Sequence, residues 1–317
     1  MAELIVRKDY GTSSAGLDSR LGDSAKIDSG RTFYDFATEN LKGTMDILQA
    51  HYPKQIAGRI LTINGSGDHV INFLAGNPAE VTGIDRSLVA CLYSDMKIGI
   101  LQAFSFDMFK GFFDYNTGDQ GSLHFYNNWF LNKLNRSLDR RTLEFFGSIC
   151  KSLRSGSEDE EKAAFQRLFG HMVSKSGGVK GAKLINCYLA SEEAYKEFQG
   201  RARKTEIRLI ADEMQSHLQS AEERYDVIHL SNIHDYCTRE IVGIIELAQK
   251  RLAEEGILIL YNNGGPVIKE DDGWRNYRVE NVYMGDGRMD FISVFKNPVA
   301  LKTAMELQWL QSSADLH

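Results

Sequence analysis

The sequence predicts an α/β fold: a doubly wound, mainly parallel sheet with a C-terminal β-hairpin and a helical insertion. Three observations carry this expectation. Short apolar strands alternate with helical segments in two groups, one before residue 105 and one after residue 205. The stretch between the groups is helical in pattern and holds no convincing strand. Near the end, Tyr277–Tyr283 and Met289–Phe295 flank Gly285-Asp286-Gly287, a strong hairpin signal.

Taken in order, residues 10–31 are rich in Gly, Ser and Asp and read as a loop or arm. Residues 33–51 have helix-compatible spacing through Phe33, Phe36, Leu41, Met45 and Leu48, and Pro53 stops that helix. Arg59–Ile63 is a short apolar strand, followed by the turn Asn64-Gly65-Ser66-Gly67-Asp68. Val70–Leu74 opens a helix that breaks at Gly76-Asn77-Pro78, and Glu80–Ile84 is a second strand ending at Asp85. A helix from Ser87 to about Ile100 follows, which completes a β-α-β unit. The insertion is aromatic, with Phe104, Phe106, Phe109, Phe112 and Phe113 at its start. Glu158-Asp159-Glu160-Glu161 begins one of its helices, where negative charge suits the N-terminal dipole. The glycine-rich loop Lys175–Gly181 lacks the Gly-Lys-Ser/Thr ending of a phosphate-binding loop and reads as a linker. Strands return at Glu206–Ile210, Asp226–Leu230 and Gly256–Tyr261, separated by helices at about 212–219 and 238–253. The expected organisation is an N-terminal arm and helical cap over 1–54, a sheet core over 55–105 and 203–300, a substrate-side insertion over 106–202, and a C-terminal helix over 301–317.

Composition narrows the function classes. The chain has 317 residues, 43% hydrophobic and 25% charged, which are ordinary values for a globular protein. A net charge of −6 argues against a nucleic-acid partner, which needs a basic footprint. No apolar run approaches the roughly 20 residues that span a bilayer. Met1-Ala2-Glu3-Leu4 lacks the basic flank and apolar run of a signal peptide, so a cytoplasmic protein is expected, with peripheral membrane contact left open. Cys91, Cys150, Cys187 and Cys237 are far apart without Cys-x-x-Cys spacing, so reduced thiols are expected and no metal site.

In open parallel sheets, ligands bind beyond the C-terminal strand ends. After the first strand, Asn64, Gly65, Ser66, Gly67 and Asp68 let the backbone approach a ligand, and the next helix points its N–H groups there. The third glycine of a dinucleotide fingerprint is missing, since position 70 is Val. Asp85, with Arg86 and Ser87 beside it, ends the second strand; a carboxylate there can accept both ribose hydroxyls of an adenosine, or it can cap the next helix. Asp212 and Glu213 follow the third strand, and Asp212 suits the adenine amino group or, again, a helix cap. The fourth strand ends in Ser231-Asn232-Ile233-His234-Asp235-Tyr236, dense in polar groups. There Ser231, Asn232 and Ile233 would line the amino acid portion of the ligand, while His234 and Asp235 could supply and orient a base. The terminal hairpin is a feature of S-adenosylmethionine (SAM) dependent methyltransferases that nicotinamide dehydrogenases usually lack. The expected fold is therefore Rossmann-like, of the SAM-methyltransferase type, with SAM as co-substrate.

The stretches 59–76 and 80–113 resemble the 3-amino-3-carboxypropyl transferases of betaine-lipid synthesis. Shared features are the strand and glycine turn, the strand ending in Asp, a Leu/Lys-rich helix, and an aromatic stretch matched by Phe109–Phe113. Ser231–Tyr236 looks like that family's fourth-strand motif. The resemblance covers roughly 55–115 and 205–265. It implies transfer of the aminocarboxypropyl group of SAM to a nucleophile, or its cyclisation, with release of methylthioadenosine. The acceptor would be a small molecule or a lipid. His234, Asp235, His124, Tyr126 and Tyr34 are the candidate catalytic groups, Tyr34 on a segment that could fold over the cofactor. Phe106, Phe109, Phe112 and Phe113 could line a lipid channel or simply form helix core. An ordinary small-molecule methyltransferase and a non-catalytic binding module are the alternatives on the same fold.

Overall fold

In a computed structural model of the chain, the described residues are 33–34, 36–113, 128–155, 172–173, 178–233, 240–263, 274–280 and 289–296. The central sheet is built from β2 (Arg59–Ile63), β3 (Glu80–Asp85), β5 (Glu206–Ala211), β6 (Tyr225–His229), β7 (Leu252–Asn262), β8 (Trp274–Glu280) and β9 (Met289–Phe295). Its order is β5-β3-β2-β6-β7-β9-β8. The first five strands run parallel, and β9 lies antiparallel between β7 and β8. This is the doubly wound, Rossmann-like sheet with an antiparallel hairpin that the sequence predicts.

The strands are apolar on both faces because helices cover both. Ile60, Val227, Ile257 and Ile259 point into the larger core, while Leu61, Ile228, Leu258 and Leu260 point into the smaller one. The smaller core is closed by α9 (Met214–Ser220) and α10 (Ile241–Arg251). The larger is closed by α1 (Leu41–His51), α2 (Asp68–Phe73), α3 (Leu88–Ala103), α4 (Phe106–Phe113), α7 (Val179–Ile185) and α8 (Glu192–Ala202), joined by α5 (Asn128–Leu134) and α6 (Arg140–Ser155). Local sequence starts these helices where the strands leave off. Ser87 caps α3 by accepting from the Ala90 N–H, and Ser191 caps α8 with Glu192 and Glu193 in its first turn.

Two expectations change. The helix read over 33–51 begins only at Leu41, because the Asn40 side chain accepts the Gly43 N–H at 2.8 Å and caps it there. Phe33–Tyr34 instead forms a two-residue strand, β1, parallel to β4 (Met172–Val173). Pairings this short leave no periodicity to read. The aromatic stripe of α4 is core. Phe109 and Phe112 are fully buried, Phe112 stacks on Phe130 at 5.1 Å, and Phe109 meets Tyr188 and Tyr195 edge-on. The acidic run 158–161, the hairpin turn 285–287 and the helix expected over 301–317 lie outside the described residues.

The larger core contains an ion pair. Asp68 and Lys97 are both fully buried, with Lys97 Nζ 3.1 Å from Asp68 Oδ1. Tyr188 donates its hydroxyl to the same oxygen at 2.8 Å, and the Ala37 N–H donates to Oδ2 at 2.6 Å. The ammonium also lies 4.3 Å from the Phe36 ring centroid. Removing one member of such a pair strands the other charge. Lys97→Met is expected to cost about 3–5 kcal/mol in urea unfolding, and Asp68→Asn in the same chain should restore part of that. A loss under about 1 kcal/mol for the single variant would show that the pair does not carry this stability.

Candidate functional site

Chain order reverses between β2 and β6, which lie side by side. The crevice beyond the carboxyl ends at such a reversal is where doubly wound sheets bind ligands. Asn64–Gly67 leaves β2 at this point, and Ser231–Ile233 follows β6 there. Asp85 and Asp212 end the two neighbouring strands β3 and β5.

The turn after β2 is strained. Gly65 has φ 48°, Ser66 φ 60° and Gly67 φ 84°. A Cβ on Gly65 would come within 1.8 Å of His69 Nδ1, so only glycine fits against that ring. Ser231, at the facing strand end, also has positive φ, 55°. Two non-glycine residues in this region at one crevice mark a backbone held by its surroundings, as binding sites often are. Val70, where a dinucleotide fingerprint carries its third glycine, packs on the sheet at Gly83: a Cβ on Gly83 would be 2.6 Å from Val70 Cγ2. The space that glycine usually provides on the helix is thus provided on the strand.

The predicted ligand residues divide into two groups. Asp85 and Asp212 are brought together: the Asp212 N–H donates to the Asp85 carbonyl at 2.9 Å. Neither carboxylate caps a helix by its side chain. Ser87 caps α3, Asp85 Oδ1 accepts the Ser87 N–H at 2.9 Å, and Asp212 Oδ1 accepts the Glu213 N–H at 2.7 Å. Arg86 and Glu213 pair with each other at 3.0 Å on the surface, about half exposed. Asn64 is buried, donates to Ser94 Oγ at 2.8 Å, and leaves Oδ1 without a partner. The Ile233 N–H closes a turn onto the Leu230 carbonyl, and Asn232 Oδ1 lies 3.2 Å from Ser231 Oγ.

Asp68 departs from the expected role. Both oxygens of its carboxylate are taken by Lys97, Tyr188 and the Ala37 N–H. A first-turn acid reads as a ligand from sequence because the lysine that claims it lies a whole β-α-β unit away. His234, Asp235, His124 and Tyr126 lie outside the described residues, and Tyr34 is placed by its backbone in β1.

The structure adds residues that the sequence did not single out. Glu39, His69 and His229 are buried together below the glycine turn. His69 Nε2 is 3.1 Å from Glu39 Oε2, and Ser231 Oγ donates to Glu39 Oε1. Burial pushes the Glu39 carboxyl upward, but His69 beside it and the Ser231 hydroxyl bring it below its ordinary value. Burial, reinforced by His69, lowers His229 to about 3, so its ring is neutral. Tyr261 anchors the same segment: its hydroxyl accepts the Asn40 N–H at 3.1 Å and donates to Asp290 Oδ2 at 2.6 Å. A histidine inside the apolar run Val227–Leu230 and a lysine inside the apolar helix α3 were the available sequence signals.

No protein-family model matches the chain, and no curated protein matches it by sequence. Solved structures similar to it include the rRNA methyltransferase AviRa from Streptomyces viridochromogenes, at 10% identity over 84% of this chain and 88% of that one, TM-score 0.43. The N-methyltransferase NodS from Bradyrhizobium japonicum, in complex with S-adenosylhomocysteine, is 11% identical over 83% and 89%, TM-score 0.37. The glycopeptide N-methyltransferase MtfA, complexed with SAM, is 10% identical over 83% and 68%, TM-score 0.31. Among the described residues, no helix is long and apolar enough to cross a membrane.

The geometry of the turn makes a direct test. Gly65→Ala must place a methyl on His69 in a left-handed conformation, and is expected to cost at least about 2 kcal/mol of stability. His69→Ala in the same chain should recover the steric part. An unchanged unfolding midpoint for Gly65→Ala would contradict the turn geometry.

Proposed function

We propose that the chain is a SAM-dependent transferase that moves the 3-amino-3-carboxypropyl group to a small-molecule or lipid acceptor, or cyclises it, releasing methylthioadenosine. The observation that carries the SAM reading is the pair Asp85 and Asp212, side by side at neighbouring strand ends next to a strained glycine turn. Asp85 would take the ribose hydroxyls and Asp212 the adenine amino group. Asn64, Gly65, Ser66 and Gly67, with Ser231–Ile233 opposite, would border the amino acid end. Asn64 Oδ1 is a buried acceptor without a partner.

The sulfonium is already an activated electrophile, so the protein's task is to position the nucleophile in line and take its proton. His234 and Asp235 follow Ser231–Ile233 in sequence and are the proposed base and its orienting partner. The resemblance over 55–115 and 205–265 supports transfer from the methylene carbon rather than the methyl. The packed aromatic ring cluster of α4 gives no support to a lipid channel there, which favours the small-molecule end of the acceptor range.

Incubation with SAM, with and without a cell extract, followed by mass spectrometry of the nucleoside should yield methylthioadenosine. S-adenosylhomocysteine in its place would overturn the aminocarboxypropyl reading in favour of methyl transfer. Calorimetry that detects neither SAM nor methylthioadenosine binding would favour a non-catalytic module. Asp85→Ala should weaken SAM binding by about 1.5–3 kcal/mol through lost charge-assisted hydrogen bonds. Unchanged affinity in the folded variant would remove Asp85 from the ribose role.

A further inference from the structure

Glu39, His69 and His229 come from three separate places: the segment before α1, the first turn of α2, and the last residue of β6. Each offers one ligand atom, and the three atoms lie within 4.8 Å of one another. All three side chains are buried, and the two imidazole rings lie 5.2 Å apart, tilted by 35°.

Hydrogen bonding decides which nitrogen of His229 is available. Thr62 Oγ1 is 3.0 Å from the Ile63 carbonyl oxygen and 3.0 Å from His229 Nδ1. A hydroxyl has one proton to donate. With that proton on the carbonyl, the hydroxyl accepts from Nδ1–H, and Nε2 of His229 carries a bare lone pair. Nε2 is fully buried and has no hydrogen-bond partner. His69 has the same shortage: Nε2 pairs with Glu39, and Nδ1 is buried without a partner. Leaving a buried polar atom unsatisfied costs stability, and native proteins carry few such atoms, each commonly met by a water or an ion.

Two imidazoles and a carboxylate form a donor set suited to a divalent transition metal. The groups behind them are also in place. Thr62 holds Nδ1 of His229, and the Ser231 hydroxyl holds the second oxygen of Glu39. Outer partners of this kind orient metal ligands and tune their basicity. We propose that Glu39, His69 and His229 bind one divalent transition-metal ion of the Zn2+ class beneath the glycine turn. Bonds of about 2.0 Å in a tetrahedral site separate ligands by about 3.3 Å, so binding draws the three side chains together. The ion would clamp the segment before α1 to α2 and β6, the two elements that border the crevice. Three protein ligands leave a fourth position for water. The sequence expectation of no metal site rested on cysteine spacing, and this donor set contains no cysteine.

The proposal stands independently of the transferase reading, and its test needs no activity. Full-length protein purified without chelators is stripped, then titrated with Zn2+ or Co2+, and bound metal is counted by mass spectrometry. About one equivalent should remain after gel filtration, and Co2+ should give visible ligand-field bands of a low-coordinate site. His229→Gln and His69→Gln should abolish the bands. Thr62→Val, which keeps every ligand, should weaken binding by about 10–100-fold. That variant and the wild-type spectrum decide the matter even if the histidine variants fail to fold. No retained metal and no Co2+ bands in folded wild-type protein would overturn the proposal, leaving a buried water as the partner of the two lone pairs. Equal binding by folded His229→Gln would overturn it as well.

Discussion

The buried ion pair of Asp68 and Lys97 organises the site side of this protein. Asp68 starts the helix after the glycine turn, and Lys97 lies in the middle of α3. Tyr188 reaches the same carboxylate from the later part of the insertion, and the Ala37 N–H from before α1. Four stretches of chain that are distant in sequence therefore meet at one charge. A carboxylate buried this deeply is tolerable only when its oxygens are satisfied, so the pair demands that all four stretches be in place. The fixed position of Ala37 in turn brings Glu39 beneath the glycine turn.

That constraint accounts for the strain at the crevice. Ser66 and Ser231 both hold left-handed backbone conformations, one at the end of β2 and one at the end of β6. Ser231 is tied to Glu39 by its hydroxyl and to Tyr261 through its carbonyl. The packing of the N-terminal segment thus reaches both strand ends at the switch point. The site is consequently made of a strained backbone supported by buried polar side chains, rather than by the loops alone.

How much was legible in the sequence follows from the range of each interaction. β2, β3, β5, β6 and β7 were readable because each is a short apolar run closed by a turn or a helix cap. Asp85 and Asp212 were readable as strand-end acids because position at a strand end is a local property. The helix over 33–51 was read too long, since the capping role of Asn40 competes with an apolar spacing that continues through Phe36. Asp68 was read as a ligand because nothing near it in sequence shows the lysine that occupies it. His69 and His229 gave weaker signals still. A single histidine inside an apolar run has no pattern until its neighbours in space are known.

By itself, the sequence determined the fold class, the order of the strands in the main sheet's parallel part, the glycine turn, and the acids that end β3 and β5. These depend on periodicity, turn residues and caps, which act within a few residues of one another. Only the tertiary structure decided that Asp68 is spent on a lysine. It also decided that the aromatic stripe of α4 is core and that Glu39, His69 and His229 share one buried point. Those outcomes depend on pairing between residues separated by 18 to 192 positions. Burial makes each pairing strong, because a charge or lone pair away from water must find its partner within the protein.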